Sequence, residues 1–114
     1  MINSNYQLRY LPLFYQDLDE KILYISNNLH NPQAANNLLT LVSEAINQRL
    51  PFAESFEKDF SFSNRHIPYY RIYVKSYIIF YVIIEENGSK IMEVRRFLYN
   101  KQRRRTKKKR SPRY

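Results

Sequence analysis

Two rhythms of apolar residues divide this chain. Leu11, Phe14, Leu18, Ile22, Ile25 and Leu29 recur at three- and four-residue steps, as do Ala35, Leu38, Val42, Ala45 and Ile46. That spacing marks one face of a helix. Each stretch has a start signal: Pro12 suits a first helical turn, and Asn31-Pro32 supplies an N-cap residue followed by proline. Asp17, Asp19 and Glu20 are placed early in the first helix, where the macrodipole favours acids. Pro51 ends the second helix by pushing the residue before it out of helical conformation. With only a few residues between them, the two helices form a hairpin.

Beyond residue 68 the rhythm changes. Residues 69–74, 77–84 and 90–99 are runs of Tyr, Ile, Val and Phe, which fit a pleated, half-buried surface. Asn87-Gly88 separates the last two runs, and Asn-Gly is the strongest short hairpin signal. Gly88 is the only glycine in the chain. Lys75-Ser76 separates the first two runs. The result is an antiparallel meander whose middle strand, apolar at both parities, is central and covered on both faces. Residues 6–10 form a first strand that pairs with one of the other three. The order β-α-α-β-β-β gives an α+β, two-layer fold, a helical hairpin packed on one face of an antiparallel sheet. Residues 52–67 read as a loop pinned to the body by Phe52, Phe56, Phe60 and Phe62.

The 114 residues suffice for one domain, assigned to residues 1–100. No apolar run is long enough to span a bilayer, no signal peptide is evident, and there is no cysteine. These features place the protein in the cytoplasm, with no membrane partner and no thiolate chemistry. No phosphate-binding glycine loop is possible, and His30 and His66 alone do not suggest a metal site. No cofactor is implied.

The net charge of +9 is concentrated at one end. Residues 101–114 hold nine of the nineteen basic residues and no acid, which leaves ten basic and ten acidic residues in 1–100. Such a tail cannot bury apolar surface. It is expected to be disordered, either as a solvated extension or as an arm that contacts phosphates.

The remaining chemistry lies in Arg71, Arg95, Arg96, Tyr73, Tyr77, Tyr99, Glu93 and Lys101, with His66 nearby. Cleavage of RNA by its own 2′-hydroxyl needs a base, an acid and cations on the phosphate. Arginine supplies the last by bidentate contact, and tyrosine can transfer a proton or stack on a base. The alternative is that the tyrosines pack strands and the arginines are solvated. Strict strand alternation puts Arg95 on the face of Tyr99 and Arg96 on the other, unless a bulge intervenes.

The helical hairpin with Asn31-Pro32-Gln33-Ala34-Ala35, then Tyr70-Arg71-Ile72-Tyr73-Val74, Tyr77-Ile78-Ile79-Phe80-Tyr81-Val82-Ile83, and Met92-Glu93-Val94-Arg95-Arg96-Phe97-Leu98-Tyr99-Asn100-Lys101 together resemble the RelE/ParE superfamily of type II toxins. The resemblance implies a toxin neutralised by a cognate antitoxin, and it leaves two activities open. RelE-like members cut mRNA on the ribosome, whereas ParE-like members inhibit DNA gyrase without being nucleases. A degenerate fold that only binds nucleic acid or a partner is a third possibility. On the first, favoured reading, the catalytic residues are Arg71, Arg96 and Tyr99. Arg95, Lys75, Lys101, Arg103, Arg104 and Arg105 then contact nucleic acid. Many members end their last strand in a pattern like R-x-L-H-x-R-R-D, which here runs from Arg96 through Tyr99 to Arg103, with tyrosine in place of histidine. Where some nucleases place an arginine at the start of the second meander strand, this chain has Ile78.

Overall fold

A computed structural model describes residues 6–60 and 67–100. Strand β1 (Tyr6–Tyr10) leads into helix α1 (Pro12–Leu23), and α2 spans Pro32–Arg49. Strands β2 (Tyr70–Val74), β3 (Tyr77–Glu86) and β4 (Ser89–Tyr99) follow. The sheet order is β1-β4-β3-β2. The meander is antiparallel, as its tight turns require, but β1 runs parallel to β4. The sheet is therefore mixed, which corrects the expectation of a purely antiparallel one. The long path through both helices and two strands lets β1 and β4 lie side by side in the same direction.

Local chemistry sets the turns. Asn87 and Gly88 both have positive φ, at 51° and 80°, as a type I′ turn demands. A Cβ built on Gly88 would meet nothing within 4 Å, so the glycine is there for its backbone angle alone. Lys75 takes φ of 53° in the other hairpin. The Asn31 side chain accepts a bond from the Ala34 N–H at 3.1 Å and caps α2. Pro51 falls in a single 3₁₀ turn, Leu50–Phe52, that ends the helix. Between the helices a π-helical turn, Tyr24–Asn28, replaces the last α-helical turn expected around Ile25, and it leaves Leu29 exposed.

The core lies between the hairpin and the sheet. Phe14 and Leu18 of α1 and Leu38, Val42 and Ile46 of α2 meet Tyr70, Ile72, Ile79, Tyr81, Met92, Val94 and Phe97. Ile78, Phe80 and Val82 alternate with the helix-facing residues of β3 and are buried as well, so that strand is interior and covered on both faces.

The segment after α2 is held differently from the expectation. Phe52, Phe56 and Phe60 are exposed, and Phe62 lies outside the described residues. Buried Ala53 anchors the segment instead, its carbonyl accepting the Tyr81 hydroxyl at 2.7 Å. Arg49 donates to that hydroxyl and to the Arg71 carbonyl, and its guanidinium lies 3.5 Å from the centre of the Phe56 ring. Farther along, Asp59 bridges to Tyr69 through two backbone hydrogen bonds.

Candidate functional site

The register of β3 and β4 shifts at one point. Phe80 is opposite Arg96, whereas Tyr81 is opposite Val94, which leaves Arg95 as the extra residue of a bulge. The bulge overrides strict alternation. Phe97 joins the helix-side core, meeting Phe14 edge-on and stacking on Tyr77, and Tyr99 tilts against the same Tyr77 ring. Arg95 does not share the face of Tyr99. Its guanidinium goes to Glu93 at 2.8–2.9 Å and to the Tyr69 hydroxyl at 3.3 Å, and the Tyr69 ring packs edge-on against Phe80.

Three of the arginines read as phosphate contacts each meet a buried carboxylate. Arg96 forks onto Asp17 of α1, with Nε to Oδ2 at 2.7 Å and a second N–H to Oδ1 at 3.1 Å. The same Oδ2 accepts the backbone N–H of Phe97 at 2.9 Å. The reason is topological. β1 pairs with β4 only as far as Val94, so the edge of β4 beyond that point needs another acceptor, and α1 delivers one. Arg71 Nε lies 3.2 Å from Asp59 Oδ2. Glu93 binds Arg95 on one oxygen and Arg9 on the other, and Arg9 also reaches Glu86.

These carboxylates hold on to their charge. Burial pushes the Asp17 carboxyl up, but the Arg96 guanidinium and the Phe97 N–H outweigh it and hold the group below the usual aspartate range. Glu93 is likewise held low: Arg95 and Arg9 together overcome the effect of its burial. A guanidinium forked onto an ionised carboxylate presents outward the field of a dipole instead of that of a full positive charge.

Asp17 is neither in the first helical turn nor a partner of the macrodipole, which corrects the sequence expectation for it. It stands on the apolar stripe between Phe14 and Leu18. An acid on a buried face was the signal, available in the sequence, that a cation must reach it. Glu93, between buried Met92 and Val94, carried the same signal.

A different group of side chains stays accessible. Tyr73, Lys75 and Tyr99 are exposed near the β2–β3 turn and the end of β4, with Tyr99 on the helix side beside Tyr77 and Tyr73 on the opposite face of the sheet. There the Asn100 N–H donates to the Ser76 carbonyl at 2.7 Å. The Arg71 guanidinium sits 5.9 Å from the centre of the Tyr73 ring. The Tyr77 hydroxyl is pushed up by burial, then by Tyr99 and Tyr24, so this ring keeps its proton at neutral pH. Ile78, at the position where some nucleases carry arginine, is buried. His66, Lys101, Arg103, Arg104 and Arg105 lie outside the described residues.

The fold and this surface define a small α+β domain of a helical hairpin on a four-stranded mixed sheet, with an arginine-rich last strand. Residues 8–104 match the family described as ParE toxin of type II toxin-antitoxin system, parDE. The chain belongs to that family of toxins, and membership implies a cognate antitoxin. A search of curated proteins returned no match. Among the described residues, no helix is long and apolar enough to cross a membrane.

Proposed function

We propose that this toxin acts in the ParE-like manner, arresting growth by binding a protein target, DNA gyrase, without cutting RNA. The observation that carries this reading is the pairing of Arg71, Arg95 and Arg96 with Asp59, Glu93 and Asp17. A nuclease of this kind needs cations aimed at the charge that develops on phosphate. Here the fork of Arg96 is already occupied by Asp17, and that of Arg95 by Glu93 and Tyr69. The buried isoleucine at the start of β3 supports the same conclusion, since it removes a further cation from the surface. On this reading the exposed faces of the hairpin and sheet serve protein contact, and the arginines fix the shape of β4.

The second reading is the RelE-like mRNA endonuclease, with Arg71, Arg96 and Tyr99 as its catalytic set. The exposure of Lys75 and Tyr99 favours it, because an open tyrosine can stack on a base and a lysine can hold a phosphate. Induction of the chain in cells separates the two. The ParE-like reading expects plasmid DNA to lose negative supercoils or to break while primer extension finds a translated message intact. Fresh 5′ ends within codons of that message, abolished by Arg71→Ala, would establish the nuclease instead.

A further inference from the structure

Strand β3 outruns its partner on the side away from β4. β2 pairs with it only from Tyr70, opposite Tyr81, to Val74, opposite Tyr77, whereas β3 continues to Glu86. The ladder stops there for a local reason. The N–H and C=O of Tyr69 both turn outward to Asp59, so alternation aims Pro68 at β3, and proline has no N–H to give. Residues 82–86 therefore have β4 on one side and, among the described residues, no strand on the other. The two-residue turn fixes which main-chain groups stay open. Its closing residues, Glu86 and Ser89, form a hydrogen-bonded pair, so Ile84 and Val82 also face β4. Ile83 and Glu85 then aim their N–H and C=O groups at the open edge.

A groove of about 460 Å³ runs along this edge, lined by Glu54, Ile67, Ile83, Ile84, Glu85 and Lys90. Successive side chains of a strand point to opposite faces, so a groove that touches both Ile83 and Ile84 opens at the strand's edge and not over one face. Its two sides differ in chemistry. Glu85 is opposite Lys90 and Lys90 is opposite Tyr6, so these residues share the helix-side face with Ile83. Glu54 joins them, accepting from the Tyr6 hydroxyl and from Lys90 at 2.8 Å, both on Oε1, which leaves Oε2 for another donor. Lys90 and Tyr6 hold the Glu54 carboxyl below the usual glutamate range, so it stays charged at neutral pH. Exposed Glu85 adds a second carboxylate on that face, whereas Ile84 on the other face is apolar.

We propose that this edge takes an extended strand of a partner protein in which Lys or Arg alternates with aliphatic residues. Such a strand pairs its main chain with Ile83 and Glu85, sets its cations beside Glu54 and Glu85, and lays its aliphatic side chains against Ile84. The two-residue period of the occupant matches the acidic and apolar sides of the groove. The same edge of a second copy would instead add its own Glu54 and Glu85 to the carboxylates already present, which disfavours pairing between copies.

The test titrates the full chain into a fluorescein-labelled synthetic peptide of alternating lysine and valine, read by anisotropy, with the melting temperature of each protein variant as a check on folding. Saturable binding is expected, with slowed hydrogen exchange at the Ile83 and Glu85 amides. N-methylation of one alternate set of peptide amides should weaken binding about 30-fold, as the loss of two main-chain hydrogen bonds would. Methylation of the other set, which faces away from β3, should leave affinity within about threefold. Glutamine for lysine in the peptide, or Glu85→Lys in the protein, should weaken binding about three- to tenfold. Equal effects from the two methylated sets would overturn the proposal, and so would unchanged affinity for Glu85→Lys. A dimer of the full chain that Ile84→Arg breaks would overturn it in favour of a second copy. These readouts do not depend on growth arrest, and so not on which target the toxin takes.

Discussion

Arg96→Ala distinguishes a cation that builds the fold from one that faces a substrate. Asp17 has a side chain only 8% exposed and spends its oxygens on Arg96 and the Phe97 N–H. Removing one member of a buried pair typically costs about 3–5 kcal/mol, because the other charge is left uncompensated. The Arg96 side chain is itself 38% exposed, so part of the attraction is already screened by water. A loss of about 2–3 kcal/mol is therefore expected at neutral pH, which is on the order of 10–20 °C in melting temperature for a domain of this size. Asp17→Asn keeps an acceptor for Phe97 and loses only the charge, so it should cost about 1–2 kcal/mol. The double variant should fall short of the sum by roughly 1–2 kcal/mol, as residues in direct contact do. Urea unfolding at pH 7, read by circular dichroism, measures all four corners of this cycle. If Arg96→Ala stays within about 0.5 kcal/mol of the parent, as ordinary surface substitutions do, while toxicity collapses, the structural account of this residue is wrong.

Acid should weaken the protein through the same groups. Asp17 and Glu93 are held below their ordinary values, so their stabilisation is complete above about pH 5 and is lost as pH falls through the folded values. A melting temperature flat from pH 5 to 7 and falling steeply below 4 is the expected profile, and Glu93→Gln should soften the fall. Gly88→Ala should destabilise by about 1–2 kcal/mol through backbone angle alone, since its methyl meets open space. Chemical denaturation measures this, and a neutral result would mean that the turn relaxes to another type. Arg49→Leu removes the clamp on Tyr81 and the Arg71 carbonyl, and limited proteolysis between residues 50 and 60 should quicken several-fold.

The elements were legible because their signals are local. The Phe14–Leu18 and Leu38–Val42–Ile46 stripes, the Asn31-Pro32 cap, Pro51 and Asn87-Gly88 each constrain a few neighbouring residues. What escaped was long-range. The parallel pairing of Tyr6–Tyr10 with β4 joins segments some eighty residues apart, and no local pattern encodes it. The bulge at Arg95 is a one-residue event that reverses every later side chain of β4, so alternation counted from sequence put Arg95 on the wrong face. The fate of the arginines escaped for a related reason. Arg71, Arg95 and Arg96 read as free cations because their partners, Asp59, Glu93 and Asp17, come from a loop, the strand itself and a helix. The phenylalanines of the 52–60 segment looked like anchors on hydrophobicity alone, yet small Ala53 is the residue that fits against Tyr81. Residues 101–114 lie outside the described residues, and their contribution was read from charge.

Under the ParE-like proposal this toxin occupies a protein and leaves RNA uncut. The most direct measurement incubates the purified full-length chain with gyrase, relaxed plasmid and ATP, and in parallel with ribosomes translating a defined message. Supercoiling should fall with toxin concentration, folded Arg71→Ala should keep this effect, and the message should remain whole. Undiminished supercoiling together with a cut message, lost in Arg71→Ala, would contradict that proposal.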